Sequence, residues 1–122
     1  MICRREFLKY VTSIILITTY KSVFANNNII NYKIIAKKSS FSFKKNTQTN
    51  LSLYNNINPG PLLKANMGDV LRVDFTNQLE EPTSIHWHGI KNLNKMDGVP
   101  YLTQDPIQPG ESYIYEFPLN HS

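Results

Sequence analysis

The sequence predicts an all-β fold of short strands, because turn residues recur regularly, the segments between them alternate, and no window has a convincing helical period. Combinations of Pro, Gly, Asn and Asp recur from residue 58 to residue 110 and separate short apolar segments. Those segments alternate apolar with polar residues or are rich in branched and aromatic types, which is typical of strands. Short strands at this spacing indicate an antiparallel sandwich or barrel.

Five segments are candidate strands within what we expect to be one domain. Residues 26–57 are rich in Asn, Lys, Ser and Thr, and their short alternations favour strands, while the Asn content is also compatible with a loosely ordered arm. The later segments are bounded by turn residues on both sides. The candidate strands are Phe41-Ser42-Phe43, Leu51-Ser52-Leu53, Val70 to Phe75, Thr83 to His88 and Ser112 to Phe117.

The N-terminal segment, residues 1–25, has the organisation of an export signal. Arg4 and Arg5 precede an apolar run from Tyr10 to Tyr20, and Ala25 suits cleavage by signal peptidase. The run is shorter than the roughly 20 residues that span a bilayer. The Arg pair followed by Phe and Leu is similar to a twin-arginine signal, which predicts recognition by export machinery and a bacterial periplasmic or secreted location. An uncleaved anchor and an ordinary secretory signal are the alternatives.

Charge and cysteine content exclude some partners and ligands. The formal net charge is +4, and most of it lies in the predicted signal. That segment has one acidic residue, Glu6, and four basic residues, which are Arg4, Arg5, Lys9 and Lys21. Without a basic stripe in the remainder, nucleic acid is not an expected partner. The one cysteine, Cys3, also lies inside the predicted signal. A mature chain beginning near Asn26 would therefore contain no thiol, no disulfide and no cysteinate metal ligand.

The sequence His86-Trp87-His88-Gly89 carries the strongest functional signal. Because side chains alternate along a strand, both histidines would share one face at a spacing of about 6.5 to 7 Å, and Trp87 would point to the core. That spacing suits two neighbouring metal ions better than one. Neutral imidazole binds copper, zinc, iron and nickel, so the pair alone does not select the metal. Two hydrogen-bonded imidazoles on a sheet face are the alternative.

From residue 58 to residue 122 the sequence resembles the N-terminal cupredoxin, or plastocyanin-like, domain of multicopper oxidases, the family of laccases and bacterial copper oxidases. The resemblance implies a cupredoxin-like Greek-key β-sandwich that is incomplete at its C-terminus. It also implies a division into a signal at 1–25, N-terminal strands or an arm at 26–57 and a partial domain at 58–122. The matching phrases occur in the family's order and are Pro59-Gly60-Pro61, Gly68 to Val73, Phe75 to Leu79, Pro82 to Gly89, Asp97 to Pro100, Thr103-Gln104, Pro106-Ile107 and Pro109-Gly110.

The resemblance implies roles for three residues around a copper cofactor. His86 would bind the type 2 copper and His88 one of the paired type 3 coppers, at the cluster where dioxygen becomes water. Asp97 matches an acidic residue credited with delivering protons to reduced oxygen; the alternative is a turn residue. His121 falls in a linker and is not an expected ligand. Copper ions, and dioxygen in the full-length enzyme, are the expected partners.

The sequence departs from the family after these motifs. It has no second His-x-His strand, no later cupredoxin domain and no His-Cys-His motif for the type 1 copper. We therefore expect a copper-binding fragment of an oxidoreductase, inactive by itself, with a separate C-terminal chain as a candidate partner. A non-enzymatic periplasmic copper-binding module and a decayed gene product are the alternatives. A structural cupredoxin-like protein of the cell-division type is disfavoured, because that type lacks the His-Trp-His phrase.

Overall fold

A computed structural model of the chain describes residues 28–120. The predicted signal at 1–25 and His121 lie outside the described residues. Within the described range the structure is almost entirely strands and irregular segments, as predicted, and it contains no helix long and apolar enough to cross a membrane. The elements are β1 (Ile29–Phe41), β2 (Thr49–Tyr54), β3 (Val70–Asn77), a 3-10 turn (Asn94–Met96) and β4 (Ser112–Pro118).

The four strands form one sheet in the order β2-β1-β3-β4. β2 and β4 pair antiparallel with their neighbours, but β1 and β3 pair parallel, which differs from the antiparallel expectation. Residues 42–69, which include β2, make the long connection that this parallel pairing requires. β1 divides its length between two neighbours: Ile29–Ala36 aligns with β3, whereas Ala36–Phe41 aligns with β2.

One face of this sheet holds the core. In β3 the exposure alternates with a period of two, so that Leu71, Val73 and Phe75 are buried while Asp74 is exposed. This alternation is the sequence signal that predicted the strand, and it is confirmed. The neighbouring strands add their own alternate side chains to the same cluster: Ile34 and Ala36 from β1, and Tyr115 and Phe117 from β4.

Irregular segments cover this face. Leu79, Ile85 and Ile107 are buried against the sheet, and Trp87 is among the partly buried residues packed beside them. The predicted strand from Thr83 to His88 is wrong, because only Thr83 makes a bridge, to Ile107. Beyond that bridge, the Ile85 amide donates to the Tyr115 hydroxyl and the Trp87 amide to the Asp97 carbonyl, so no continuous ladder forms.

The two shorter predicted strands have different outcomes. Leu51-Ser52-Leu53 lies within β2, as predicted. Phe41 is the last residue of β1, however, and Phe43 lies in the loop after it, so the predicted strand through Phe43 is wrong. β1 also begins much earlier than this alternation, at Ile29, and it joins residues before 58 to the same sheet as residues after 58.

Asn77 fixes the covering segments at the end of β3. Its side chain is fully buried, donates to the carbonyls of Glu81 and Ile107 at 2.9 Å each, and accepts a hydrogen bond from the Leu79 amide at 2.9 Å. A buried amide with all these partners is inexpensive to bury, whereas an unpartnered one is not. Asn77 therefore ties together the segments that precede and follow the two histidines in the chain.

Candidate metal centre

His86 and His88 lie on the extended segment that covers the core, and both are exposed. Their ring centroids are 5.7 Å apart with the ring planes at 74°. The two imidazoles are thus brought together on the solvent side, although the segment carrying them is not part of a strand ladder. This proximity was predicted from side-chain alternation along a strand, whereas in the structure it occurs in an irregular extended segment.

Trp87 sets the direction of both histidines. Its ring packs edge-on against Tyr115 and Phe117, with centroid separations of 5.6 and 5.3 Å. Such edge-to-face contacts between aromatic rings are favourable and add to the burial of apolar area. Because Trp87 points into the core from an extended backbone, its two neighbours are directed outward.

His86 is held by a backbone group. Its Nδ1 lies 2.8 Å from the carbonyl oxygen of Asp97 and 3.6 Å from that residue's carboxylate Oδ2. A carbonyl oxygen can only accept, so Nδ1 carries the hydrogen and donates it. In the neutral ring this leaves the lone pair on Nε2, the arrangement by which metal-binding histidines are usually oriented.

Gly98 allows this contact to form, and this role was not predicted from the sequence. Its φ is +78°, and a Cβ there would lie 1.6 Å from the carbonyl oxygen of Ile85, so only glycine fits without movement. The Ser84 hydroxyl donates to the Gly98 carbonyl at 2.7 Å and reinforces the close approach. Asp-Gly in a sequence indicates only a turn. The contact with Ile85 comes from the tertiary fold, and no local signal reveals it.

The imidazoles of His86 and His88 are suitable as some, but not all, of the ligands of a metal centre. His86 has an available Nε2, and His88 is an exposed imidazole nearby, which suits copper as well as other imidazole-binding metals. Among residues 28–120 no group of three or more His, Cys, Asp or Glu side chains is arranged to hold a metal. The Asp97 carboxylate is directed toward His86 Nδ1, so it neighbours this candidate ligand and is not itself a third candidate.

A cleft of about 440 Å³ opens beside His86. The segment from Pro59 to Leu63 forms one wall, and Ile34, Ile85 and Trp87 contribute further lining. Because most of these side chains are apolar, the imidazole of His86 lies at the edge of an apolar recess.

Comparison with known proteins identifies the family. A sequence profile described as multicopper oxidase matches residues 35–122. Laccase-1 of Cryptococcus neoformans var. grubii is 52% identical over 69 residues, which cover 55% of this chain and 11% of that protein. Multicopper oxidase MmcO of Mycobacterium tuberculosis is 48% identical over 64 residues, covering 52% of this chain and 12% of that protein. The chain therefore spans about a tenth of the length of these relatives.

Comparison with solved structures points to the same family. The multicopper oxidase from Pseudomonas thermotolerans superposes with a TM-score of 0.75 at 41% identity, covering 78% of this chain and 23% of that one. The Campylobacter jejuni multicopper oxidase, described as a metallo-oxidase, gives a TM-score of 0.68 at 31% identity, covering 82% of this chain and 20% of that one. The cupredoxin-type fold implied by the resemblance is thus confirmed, and this chain belongs to the multicopper oxidase family.

Proposed function

We propose that this chain supplies two copper ligands, His86 and His88, to the dioxygen-reducing centre of a multicopper oxidase. The observation that carries the proposal is the hydrogen bond from His86 Nδ1 to the Asp97 carbonyl at 2.8 Å, which leaves Nε2 free to bind metal. Bound copper supplies the one-electron redox chemistry that the chain's own side chains lack. We assign His86 to the type 2 ion and His88 to one of the type 3 ions.

The assignment to separate ions follows the resemblance of His86-Trp87-His88-Gly89 to the family motif. The ring geometry, with centroids 5.7 Å apart and planes at 74°, accommodates either one shared ion or two neighbouring ions. Two imidazoles also leave a coordination shell open. We therefore assign the remaining ligands to parts of the full-length protein other than residues 28–120.

Asp97 is proposed to deliver protons. Its side chain is 28% exposed, so the carboxylate meets solvent on one side and His86 on the other. Reduction of dioxygen to water consumes protons, and a carboxylate between solvent and the site can accept and pass them on. The backbone carbonyl of Asp97 already orients His86, so the carboxylate is not needed for that purpose and is available for proton transfer.

A copper titration tests the ligand assignment in the 122-residue chain. Trp87 is its one tryptophan and lies between the two histidines, so paramagnetic Cu²⁺ bound there should quench the fluorescence. We expect saturable quenching in the wild type and its loss in the His86→Ala, His88→Ala double variant. His121→Ala, which also removes an imidazole, is the control and should behave as wild type. Superimposable titrations of wild type and double variant would refute the site.

A copper-binding module without enzymatic activity is the second candidate. It is favoured by the lack of a third ligand beside the two imidazoles within residues 28–120. Oxygen consumption by the copper-loaded chain distinguishes the two. The module predicts binding with no oxygen uptake above that of free copper, whereas uptake that depends on His86 and His88 would identify an active centre.

We also propose that the chain is exported to the periplasm or beyond. The support is the Arg4-Arg5 pair followed by Phe7 and Leu8 and by the apolar run to Tyr20. Replacing both arginines by lysine should retain the chain inside the cell in a fractionation experiment, because the twin-arginine route requires the pair. Unchanged export would indicate an ordinary secretory signal.

A further inference from the structure

The β1–β2 hairpin extends beyond the rest of the sheet. β1 pairs with β3 only up to Ala36, which lies opposite Asn77, the last residue of β3. Residues 37–41 and 49–53 then pair only with each other, and residues 42–48 close the loop between them. At about 3.4 Å per residue, the five paired positions extend roughly 17 Å. We call residues 37–53 the arm.

The arm is strongly basic, although residues 26–122 as a whole are nearly neutral. It contains four lysines and no acidic residue, while the other described residues contain more acidic than basic side chains. Lys38 forms an ion pair with Glu80 at 3.7 Å, and both side chains are at least 60% exposed, so solvent screens that pair. The four lysines are Lys37, Lys38, Lys44 and Lys45.

The end of the arm also carries an aromatic pair. The rings of Phe41 and Phe43 meet edge to face, with centroids 5.1 Å apart and planes at 64°. Phe43 is 60% exposed, and Lys44 and Lys45 follow it directly. Rings inclined at this angle form a compact apolar wedge and not a set of parallel platforms on which bases would stack. Apolar rings flanked by lysines are the pattern that suits the boundary between lipid headgroups and acyl chains.

We propose that the arm binds the surface of a membrane that contains anionic lipid. Phe43 enters the interface between headgroups and acyl chains, and Lys44 and Lys45 beside it contact lipid phosphates, while Lys37 and Lys38 at the base of the arm add to its positive potential. The protruding shape allows the tip to reach the surface before the more acidic body of the protein does. Each lysine near such a surface contributes about fivefold to binding at moderate ionic strength, so the interaction weakens steeply with salt.

Vesicle flotation with the 122-residue chain tests the proposal. We expect binding to phosphatidylcholine vesicles that contain phosphatidylglycerol to exceed binding to pure phosphatidylcholine vesicles by at least tenfold. The Lys44→Gln, Lys45→Gln variant should lose about tenfold or more of that binding. Its control is Lys64→Gln, Lys91→Gln, which removes two exposed lysines outside the arm and should change binding less than twofold. Equal binding of the two double variants would overturn the proposal.

A depth measurement separates the arm from the apolar run at residues 10–20, which can also contact lipid. Phe43→Trp and Leu93→Trp each add one fluorophore at an exposed apolar position, the first on the arm and the second away from it. We expect lipids brominated on their acyl chains to quench the added fluorescence at position 43 much more than at position 93. Equal quenching would overturn the proposal. The chain could instead be retained on heparin through Lys44 and Lys45 without binding vesicles. That result would also overturn the proposal and would indicate that the arm binds an acidic polymer.

Discussion

The imidazole of His86 donates its Nδ1 hydrogen to the backbone carbonyl of Asp97 across 2.8 Å, so a main-chain atom orients this ring. The orientation therefore does not depend on the identity of the side chain at position 97. It depends instead on how closely the Asp97-Gly98 backbone approaches the segment from Ile85 to Trp87.

Asp97→Asn should leave copper binding largely intact. The carbonyl that holds His86 remains, and the lost carboxylate oxygen is 3.6 Å from Nδ1. We expect the copper affinity measured by tryptophan quenching to fall by less than about tenfold, below the usual range for losing an outer-shell partner. A larger fall would show that the carboxylate, and not the backbone, positions the ring.

Gly98→Ala should destabilise the fold and disturb the site together. The added Cβ would lie 1.6 Å from the Ile85 carbonyl oxygen at a positive φ, which combines a backbone clash with strain. We expect a loss of about 3 kcal/mol or more in the free energy of unfolding, measured by urea denaturation.

Gly89→Ala is the matched control for that change. Its φ of +79° is nearly the same, but a Cβ there would meet nothing within 4 Å. Only the conformational strain remains, so we expect a loss of about 1 to 2 kcal/mol. Equal losses in the two variants would mean that the contact between Gly98 and Ile85 does not constrain the segment.

Asn77→Ala should be among the more damaging single changes away from the histidines. It removes a fully buried amide and leaves the Leu79 amide and the carbonyls of Glu81 and Ile107 without that partner. We expect the free energy of unfolding to fall by about 3 kcal/mol. Asn31→Ala, which removes an exposed amide bonded only to the Ile29 carbonyl, should cost less than about 0.5 kcal/mol. Similar losses would contradict the bracing role of Asn77.

Stability should fall at alkaline pH because of one fully buried phenol, Tyr115, and one partly buried phenol, Tyr54. Burial raises the pKa of Tyr115 and of Tyr54 above the usual value of 10.0. The folded state therefore holds these protons more tightly than the unfolded state does. The contribution of these two protonated phenols to the free energy of unfolding is fully present below pH 10. It is lost as the pH rises from there through the higher pKa values of the folded state.

Tyr115→Phe tests this dependence. It removes one of the two groups and should make the fall in unfolding free energy above pH 10 less steep. At neutral pH it should cost about 1 to 2 kcal/mol, because the Ile85 amide loses the hydroxyl that accepts its hydrogen bond. Parallel pH profiles for wild type and variant would show that Tyr115 does not cause the alkaline loss.

Local alternation was sufficient to predict β3 and β4, because their buried residues recur at every second position along the strand. The parallel pairing of β1 with β3 was not predictable in this way, since partner choice joins residues that are far apart in the chain, such as Ile29 and Val70. The segment from Thr83 to His88 has a strand-like composition, but its amides find a tyrosine hydroxyl and an isolated carbonyl as partners. Composition does not specify which partner a backbone group will have.

The neighbourhood of the candidate site was predicted better than its geometry. The sequence indicated that His86 and His88 lie on one side with Trp87 directed to the core, and the structure has this arrangement. The histidine segment is positioned by the close contact of Gly98 with Ile85. This contact joins two segments that are not adjacent in the chain. The basic arm was missed for a similar reason, because a net charge near neutrality does not reveal that lysines collect beyond the end of β3.

The divided pairing of β1 implies an order of events during synthesis on the ribosome. In the antiparallel half, Phe41 pairs with Thr49 across one short loop, whereas in the parallel half Ile29 pairs with Val70, with all of β2 lying between them in the chain. Closing the shorter loop costs less chain entropy, so the hairpin can form before β3 has left the exit tunnel. The nascent hairpin would then offer the first half of β1 as a template on which the emerging β3 sets its register.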